Sequence, residues 1–131
     1  MTGFTLHLFA ADRYERVDAV RGFVGEDASG SFGLLPRHDR FMTVLAFGLA
    51  RLVLADASRE YLGFPGGLLY FRDNELRIST RRYLRDTDAE RIAGALSREL
   101  LQEEQALAET RRKLHRLEAE MLRRLAQLER G

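Results

Sequence analysis

Three charged side chains near the start of a predicted helix have the clearest chemical potential in this sequence. Asp88, Arg91 and Arg98 are spaced so that the two arginines share one helical face. A planar guanidinium group binds phosphate through two parallel hydrogen bonds, so the trio predicts a phosphate clamp. A simpler interpretation also fits, in which Asp88 caps the helix and both arginines are solvated.

The three histidines do not indicate catalysis. His7 falls in a predicted strand, and His115 falls on a basic helix, where solvent is its expected neighbour. No histidine has the acid and nucleophile that a catalytic triad needs, and no spacing of ligands predicts a metal site. The chain has no cysteine, which excludes disulfides and thiolate ligands. We therefore expect no enzyme activity and no metal.

Residues 30–39 combine unusual turn chemistry with flanking apolar runs. Glycine permits positive φ or close packing, and proline fixes φ and removes a donor. We expect structural turn roles for Gly30, Gly33, Pro36, Gly66 and Gly67. A loop made rigid in this way can present its neighbours to a partner, and the contact candidates are Ser31, Phe32, Arg37 and His38.

Composition bounds the class of protein. The chain has 131 residues and a formal net charge of +1, so no bulk attraction to nucleic acid or anionic lipid is expected. Its apolar runs are shorter than the roughly 20 residues of a spanning helix, and its N-terminus lacks the features of a signal peptide. We expect a soluble, cytoplasmic protein.

Up to about residue 85, short apolar runs alternate with turn signals. Asp73-Asn74 is a candidate hairpin turn. Short strands at this spacing predict a sandwich or barrel of about eight to ten strands. The runs cover residues 4–9, 17–24, 41–47, 49–54, 59–64, 68–71 and 76–79.

Beyond residue 88 the hydrophobic period becomes helical. Residues 86–109 carry seven acids against two arginines, and residues 110–131 carry seven bases against three acids. Opposite charges favour an antiparallel hairpin bending within 106–111, where no Gly, Pro or Asn marks a turn. The alternative is one continuous helix of about 60 Å. A heptad seam is formed by Leu100, Leu107, Leu114, Met121 and Leu128.

The string Gly30-x-x-Gly33-x-x-Pro36-x-His38, followed by Gly66-Gly67 and a helical tail, resembles the epsilon subunit of rotary F-type ATP synthases. The resemblance covers nearly the whole chain. It implies a non-catalytic part of the central stalk, without a cofactor, that binds the gamma subunit and rests on the c-subunit ring. It also implies a peripheral location on the cytoplasmic face of the bacterial inner membrane. Ser31 stands where many relatives have an acid, and with the arginine-rich composition it indicates the alternate, sodium-type bacterial subfamily.

The same resemblance implies a regulatory tail, which in relatives folds against the sandwich or extends along gamma and opposes ATP hydrolysis. Some bacterial relatives bind ATP through a string that Asp88 and Arg91 match, with Ile92 in place of alanine. ATP is therefore a candidate regulatory ligand of Asp88, Arg91 and Arg98. The extended tail of relatives meets the catalytic beta subunit, and the candidate residues here are Arg111, Arg112, Lys113, Arg116, Arg123 and Arg124.

We thus predict an α+β chain with an antiparallel β-sandwich over 1–85 and an antiparallel two-helix hairpin over 88–130. Its predicted function is to couple gamma to the c ring during proton or sodium transport and ATP synthesis or hydrolysis, with the tail regulating hydrolysis. Two alternatives are a coiled-coil interaction module and a nucleotide sensor built on the tail. A nucleic-acid module is disfavoured because no concentrated aromatic and basic strand face is identifiable in the sequence.

Overall fold

The computed structural model describes residues 3–130, in which nine strands precede one helix. The N-terminal β-sandwich is thereby confirmed, and the strand number lies within the predicted range. The elements are β1 (Phe4–Phe9), β2 (Tyr14–Asp27), β3 (Gly30–Leu34), β4 (Phe41–Leu45), β5 (Gly48–Leu54), β6 (Arg59–Phe64), β7 (Gly67–Arg72), β8 (Glu75–Ser79), β9 (Leu84–Asp86) and α1 (Ala89–Arg130).

The sheet folds over on itself at the long strand β2. The order is β1-β8-β7-β4-β2-β5-β6-β9, with β3 paired to β2 and a further pairing of β1 with β2. The first half of β2 pairs with β1, and the second half pairs with β3 and β5. β2 changes partners near Val20. The register of β2 with β1 shifts before that residue, and its register with β5 shifts after it. Ala19, in the first of these irregularities, has a φ of 55°. Such bulges bend and twist a strand, which lets β2 serve both layers.

One strand pair corrects the prediction of a wholly antiparallel sandwich. β1 and β8 are parallel over Thr5–Phe9 and Glu75–Ser79. The short connection from β1 to β2 makes that pair antiparallel, and the tight turn between β7 and β8 does the same there. β4 is antiparallel to both β2 and β7, so β8 runs antiparallel to β2, and β1 and β8 are therefore parallel. In the second hairpin, Asp73 and Asn74 have φ of 52° and 59°, which confirms the predicted turn.

Alternating side chains from both layers form the core. In β1, the inward-facing Phe4, Leu6 and Leu8 are almost completely buried, and the Phe4 ring meets Phe71 edge-on at 5.4 Å between centroids. No polar or charged residue is buried among those that the structure describes. This interior is a small apolar core that holds the loops at its edges in place.

The helix begins on the sandwich. Ile92 and Leu96 are buried, and both contact the backbone of Gly63, where an added Cβ would lie 2.6 Å from Ile92 Cγ2 and 3.0 Å from Leu96 Cδ1. Gly63 therefore gives the first turns of α1 room to pack against β6. Contacts divide the chain into two units, Met1–Leu96 and Ser97–Gly131.

The second helix of the predicted hairpin is absent from the described residues, since α1 runs without interruption from Ala89 to Arg130. The predicted bend at 106–111 is wrong for this structure, which has the continuous helix that was the alternative. The physical reason is local: residues 105–109 are Gln, Ala, Leu, Ala and Glu, all good helix formers. Attraction between the acidic and basic halves does not outweigh that preference here.

Candidate functional site

The tip of the β2–β3 hairpin is held together by one carboxylate. Asp27 Oδ1 accepts hydrogen bonds from the backbone N–H of Ser29 at 2.9 Å and from its hydroxyl. Asp27 Oδ2 accepts one from the Thr43 hydroxyl at 2.6 Å. The Ser29 hydroxyl, followed by that of Thr43, lowers the pKa of Asp27. Gly30 completes the turn with a φ of 119°, which is the conformation that its predicted role requires.

The loop after β3 forms a tight turn with Pro36 at its second position. The N–H of His38 donates to the carbonyl of Leu35 at 3.1 Å, and Arg37, at the third position, has a φ of 68°. A type II turn normally has glycine there. Arg37 is held in this conformation because its N–H donates to Asn74 Oδ1 at 2.8 Å. Asn74 is in turn tied to the N-terminal strand through the carbonyl of Gly3.

The four predicted contact residues do not share one environment. Ser31, Arg37 and His38 are exposed, whereas Phe32 is half-buried. The Phe32 ring packs against the core, with centroids 6.2 Å from Phe23 and 5.2 Å from Phe41. Phe32 is therefore mainly a packing residue, and the three exposed contact candidates are all polar.

An acid lies beside Ser31. In the β2–β3 hairpin, Ser31 is directly opposite Glu26, and both residues are exposed. Directly opposite residues in an antiparallel pair project from the same face of the sheet. A carboxylate is thus present beside Ser31, on the neighbouring strand. The sequence missed this residue, although a two-residue turn at Ala28-Ser29 would have given the register.

An apolar patch, also missed from sequence, lies on the outer face of β4 and β7. Met42, Val44 and Leu68 are 60%, 68% and 46% exposed. Val44 is opposite Leu68, and Met42 is opposite the half-buried Tyr70. We call these four residues the β4–β7 patch. Adjacent exposed apolar side chains of this kind mark an interaction surface more often than scattered ones do.

A histidine cluster continues this face away from the patch. His7 Nε2 lies 3.0 Å from Glu75 Oε1, and the other ring nitrogen contacts the Tyr14 hydroxyl. The contact with His7, ahead of that with Arg77, lowers the pKa of Glu75. Tyr70 and His7 both lie opposite Arg77, so patch and cluster share one row across the sheet. His7 is a sandwich residue, as predicted.

The glycine pair at the start of β7 has a packing role. Gly66 has a φ of 139°, and its carbonyl accepts a hydrogen bond from the Thr80 hydroxyl at 2.7 Å. A Cβ on Gly67 would lie 2.7 Å from the carbonyl oxygen of Ser79. Both positions therefore require glycine, one for its conformation and the other for the close approach of a neighbouring backbone.

At the helix start, two of the three clamp residues have local partners. Asp88 Oδ1 accepts hydrogen bonds from the N–H groups of Glu90 and Arg91 at 3.0 and 3.4 Å, which makes Asp88 the N-cap. The Arg91 guanidinium pairs with Asp86 at 3.1 Å. Arg98 is exposed and belongs to the second unit. The contacts of Asp88 and Arg91 match the simpler interpretation.

The basic half of the helix is exposed throughout. Every described side chain from 109 to 129 is exposed. Glu120 pairs with Arg124 at 3.4 Å and with Arg123 at 3.6 Å, and such exposed pairs contribute about 0–1 kcal/mol each. The same exposed state holds for the other predicted beta-contact residues, Arg111, Arg112, Lys113 and Arg116.

Within residues 3–130, no group of His, Asp and Glu is arranged to hold a metal ion. Over the same residues, α1 is not apolar enough to cross a membrane.

Comparison with known proteins identifies a family and several relatives. The family model described as the ATP synthase delta/epsilon chain, beta-sandwich domain, matches residues 4–86. The chain is 32% identical over 101 residues to ATP synthase epsilon chain 2 of Cereibacter sphaeroides, covering 76% of this chain and 69% of that protein. It is 33% identical over 69 residues to the ATP synthase epsilon chain of Delftia acidovorans, covering 51% of this chain and 50% of that protein.

Solved structures show the same fold. A chain of the mitochondrial ATP synthase of Euglena gracilis, determined with its c-ring, aligns with a TM-score of 0.59 and 21% identity, covering 75% of this chain and 64% of that one. A chain from the central stalk and c-ring of the Tetrahymena thermophila mitochondrial ATP synthase aligns with a TM-score of 0.52 and 14% identity, covering 61% and 64%. This chain thus spans slightly less than two thirds of each structural neighbour.

Proposed function

The chain belongs to the family of ATP synthase delta/epsilon chains, and on that premise we propose that it couples the gamma subunit to the c-subunit ring of an F-type synthase. It is a non-catalytic stalk subunit of the rotor. The observation that carries the coupling proposal is a sandwich with two different exposed surfaces, the apolar β4–β7 patch and the polar hairpin of Glu26 and Ser31. Coupling by such a part requires docking at two places and no bond chemistry.

The gamma subunit is the proposed occupant of the β4–β7 patch. Burying Val44, Leu68 and Met42 against a partner removes apolar surface from water at roughly 25 cal/mol per Å². Beside Tyr70, Arg77 and His7 supply polar groups at the margin of that patch. A centre of apolar side chains with a polar margin is the usual composition of a protein interface.

The c ring is the proposed partner of the β2–β3 hairpin and the loop that follows it. Many relatives have an acid at the position of Ser31. In this chain Glu26, directly opposite Ser31 on the neighbouring strand, would supply the carboxylate for a charge-paired contact with the c ring. Arg37 and His38 present their exposed side chains from a loop that Asn74 fixes. Through that ring the subunit sits peripherally on the cytoplasmic face of the bacterial inner membrane, in a complex that transports protons or sodium ions.

The tail is proposed to regulate ATP hydrolysis. We divide the chain into a sandwich, 1–85, and a tail, 88–130, whose second conformation is the folded hairpin. Folding back would bring the acidic first half against the basic second half and cover the exposed apolar seam. In the continuous form, the basic residues from Arg111 to Arg124 would meet the beta subunit. ATP is a candidate ligand at Asp88, Arg91 and Arg98, and binding would have to break the pair of Arg91 with Asp86.

Affinity capture of gamma and of detergent-solubilised c ring tests the two docking surfaces separately. Val44→Glu places a charge in the patch and should lower gamma capture by about tenfold or more. Leu35→Glu changes an equally exposed apolar side chain outside the patch and should leave gamma capture unchanged. Glu26→Gln should weaken c-ring capture, whereas Glu118→Gln on the tail should not. Equal gamma capture by the Val44 and Leu35 variants would refute the patch assignment.

Truncation tests the division of labour. Removal of residues 97–131 keeps Ile92 and Leu96, which are buried against Gly63, and should leave gamma capture intact while ATP hydrolysis by the complex rises. Sedimentation of the full chain at micromolar concentration should show a monomer. A dimer that dissociates on truncation would instead support the coiled-coil module.

A further inference from the structure

An arginine-lined cavity lies on the sandwich, and its arginines belong to none of the docking surfaces proposed above. It has a volume of about 420 Å³ and lies among β2, β3, β5 and the start of β6. Its charged lining residues are Arg21, Arg51 and Arg59, and no acidic residue lines it. Gly22 and Val53 form part of an uncharged floor. Three positive charges around one cavity repel one another unless an anion or solvent screens them.

The strand register brings two of the arginines together. Arg51 lies opposite Tyr61, and Val53 lies opposite Arg59, so Arg51 and Arg59 are diagonal neighbours on one face. Diagonal neighbours in an antiparallel pair lie roughly 7–8 Å apart, within reach of long side chains. On the β2 side of β5, Gly22 lies opposite Val53 and has no side chain that would fill the cavity. An added Cβ there would meet nothing closer than 3.8 Å.

The third arginine is placed by the irregularity in β2. The register of β2 with β5 shifts between Val20 and Gly22, which leaves Arg21 as the extra residue of a bulge. A bulge commonly redirects a side chain, and Arg21 lines the cavity although its neighbour Val20 is completely buried in the core.

Arg51 has an unsatisfied hydrogen-bond donor. Its Nε is buried, and among the residues that the structure describes it finds no acceptor. Buried donors in folded proteins nearly always have a partner, and each exception calls for an explanation. A guanidinium group has only donors, so the missing partner must be an acceptor. An anion in the cavity would balance the charge of all three arginines, and a small shift of the Arg51 side chain would let that anion accept from its Nε.

We propose that this cavity binds a phosphate group through Arg21, Arg51 and Arg59. Guanidinium groups bind phosphate in bidentate geometry, and a phosphate offers more acceptor oxygens than a carboxylate to three such groups. Free phosphate and the headgroup of a phosphomonoester lipid share this chemistry. The inference does not depend on gamma, the c ring or the tail, because Arg21, Arg51 and Arg59 belong to none of the surfaces proposed for those contacts.

Titration of the ¹⁵N-labelled full chain tests the site directly, because arginine Nε–H groups give resolvable NMR signals. Inorganic phosphate is added at constant pH, with sodium chloride adjusted to keep ionic strength constant. The expected result is a saturable shift of the Arg51 Nε–H signal with a millimolar midpoint. A shift that is linear in phosphate concentration, or that chloride reproduces, overturns the proposal, as does the absence of any shift.

Exposed positions provide variants that should fold. Arg21→Gln and Arg59→Gln should each weaken phosphate binding by about fivefold or more, since each removes a charge-assisted contact. Arg40→Gln removes an exposed arginine outside the cavity and should not change the midpoint. Equal effects of the three variants would show a response to net charge alone and would overturn the site.

A second titration distinguishes the sources of the phosphate group. Dihexanoyl phosphatidic acid is added below its micelle concentration. Binding about tenfold tighter than that of inorganic phosphate assigns the site to a lipid headgroup. Equal binding assigns it to free phosphate. Phosphatidic acid that shifts other signals while the Arg51 signal stays fixed overturns a headgroup site here.

Discussion

The sandwich and the helix beyond Leu96 use the same kinds of apolar residue in opposite ways. Leu52 in β5 is 0% exposed, whereas Leu114 in α1 is 59% exposed. Every buried hydrophobic residue that the structure describes lies between Phe4 and Leu96. The sandwich therefore obtains its stability from its own interior. The apolar side chains of the helix beyond Leu96 gain little from burial within the chain.

This difference in burial indicates which region can rearrange without losing buried contacts. A long helix with an exposed apolar seam gains little stability from its apolar side chains unless a partner or another part of the chain covers them. Such a segment can respond to a partner because little intramolecular burial is lost when it rearranges. The sandwich cannot respond in that way, since moving any strand would open its core. Within the first unit, Ile92 and Leu96 are the last buried side chains, and both pack against Gly63.

The largest expected effect is a truncation in the sandwich core. Leu52→Ala should lower the free energy of unfolding by about 3–5 kcal/mol, because it removes buried methyl groups and leaves a cavity. Urea denaturation followed by circular dichroism measures the loss. A loss below about 1 kcal/mol would mean that the sandwich is loosely packed, and the comparison with the helix would fail.

A smaller effect is expected where two backbones approach closely. Gly67→Ala should cost roughly 1–3 kcal/mol, because its Cβ would lie 2.7 Å from the carbonyl oxygen of Ser79, and that backbone cannot move freely. Gly33→Ala is the matched control, since its Cβ would meet only the Phe23 carbonyl at 3.9 Å. Thermal unfolding of both variants should separate them clearly. Equal unfolding midpoints would show that the backbones of Gly67 and Ser79 can separate to accept a Cβ at little cost.

The sequence predicts the strands of the sandwich better than it predicts the course of the helix, and this difference has a physical basis. The limits predicted for residues 4–9 and 59–64 match β1 and β6, because apolar runs bounded by turn residues report strand length directly. β9 was missed because three residues, Leu84–Asp86, are too short to show a period. The hairpin was predicted from charge halves, but attraction across solvent is weak compared with the helix propensity of most residues of the bend.

Turn geometry was predictable where a turn requires glycine or proline. Gly30, Pro36 and Gly66 lie in turns or positive-φ positions that glycine and proline favour. Glu26 and the β4–β7 patch were not found, because a surface made by neighbouring strands appears only after the register is known. Phe32 was named as a contact from its place beside the glycines, yet core packing holds its ring. Position in a motif does not reveal which way a side chain faces.

A pH-dependent prediction concerns the last buried side chain before the helix. Burial, followed by the hydrogen bond that the Tyr83 hydroxyl donates to Glu15 at 2.7 Å, raises the pKa of Tyr83 to about 12. The unfolded tyrosine has a pKa of about 10. Between these values the unfolded chain loses a proton that the folded chain keeps. The stability contributed by this group is therefore complete below pH 10 and declines towards pH 12.

Tyr83→Phe should remove that decline and cost about 1–2 kcal/mol at neutral pH through the lost hydrogen bond. Urea midpoints at pH 9 and pH 11.5 measure both effects. Glu15→Gln keeps the tyrosine, and because burial is the larger cause of the raised pKa, part of the pH dependence should persist. Identical alkaline profiles for wild type and Tyr83→Phe would show that the residues before the helix are not fixed to the sandwich.

The smallest expected effect is the most informative about the tail. Leu114→Ala should change the stability of the isolated chain by less than about 0.5 kcal/mol, because an exposed leucine has little burial to lose and alanine favours a helix at least as well. Urea denaturation and the helical signal in circular dichroism measure this at micromolar concentration. A loss above about 1 kcal/mol would show that Leu114 is covered in solution. A loss that grows with protein concentration would indicate self-association through the seam, whereas a concentration-independent loss would indicate the folded hairpin.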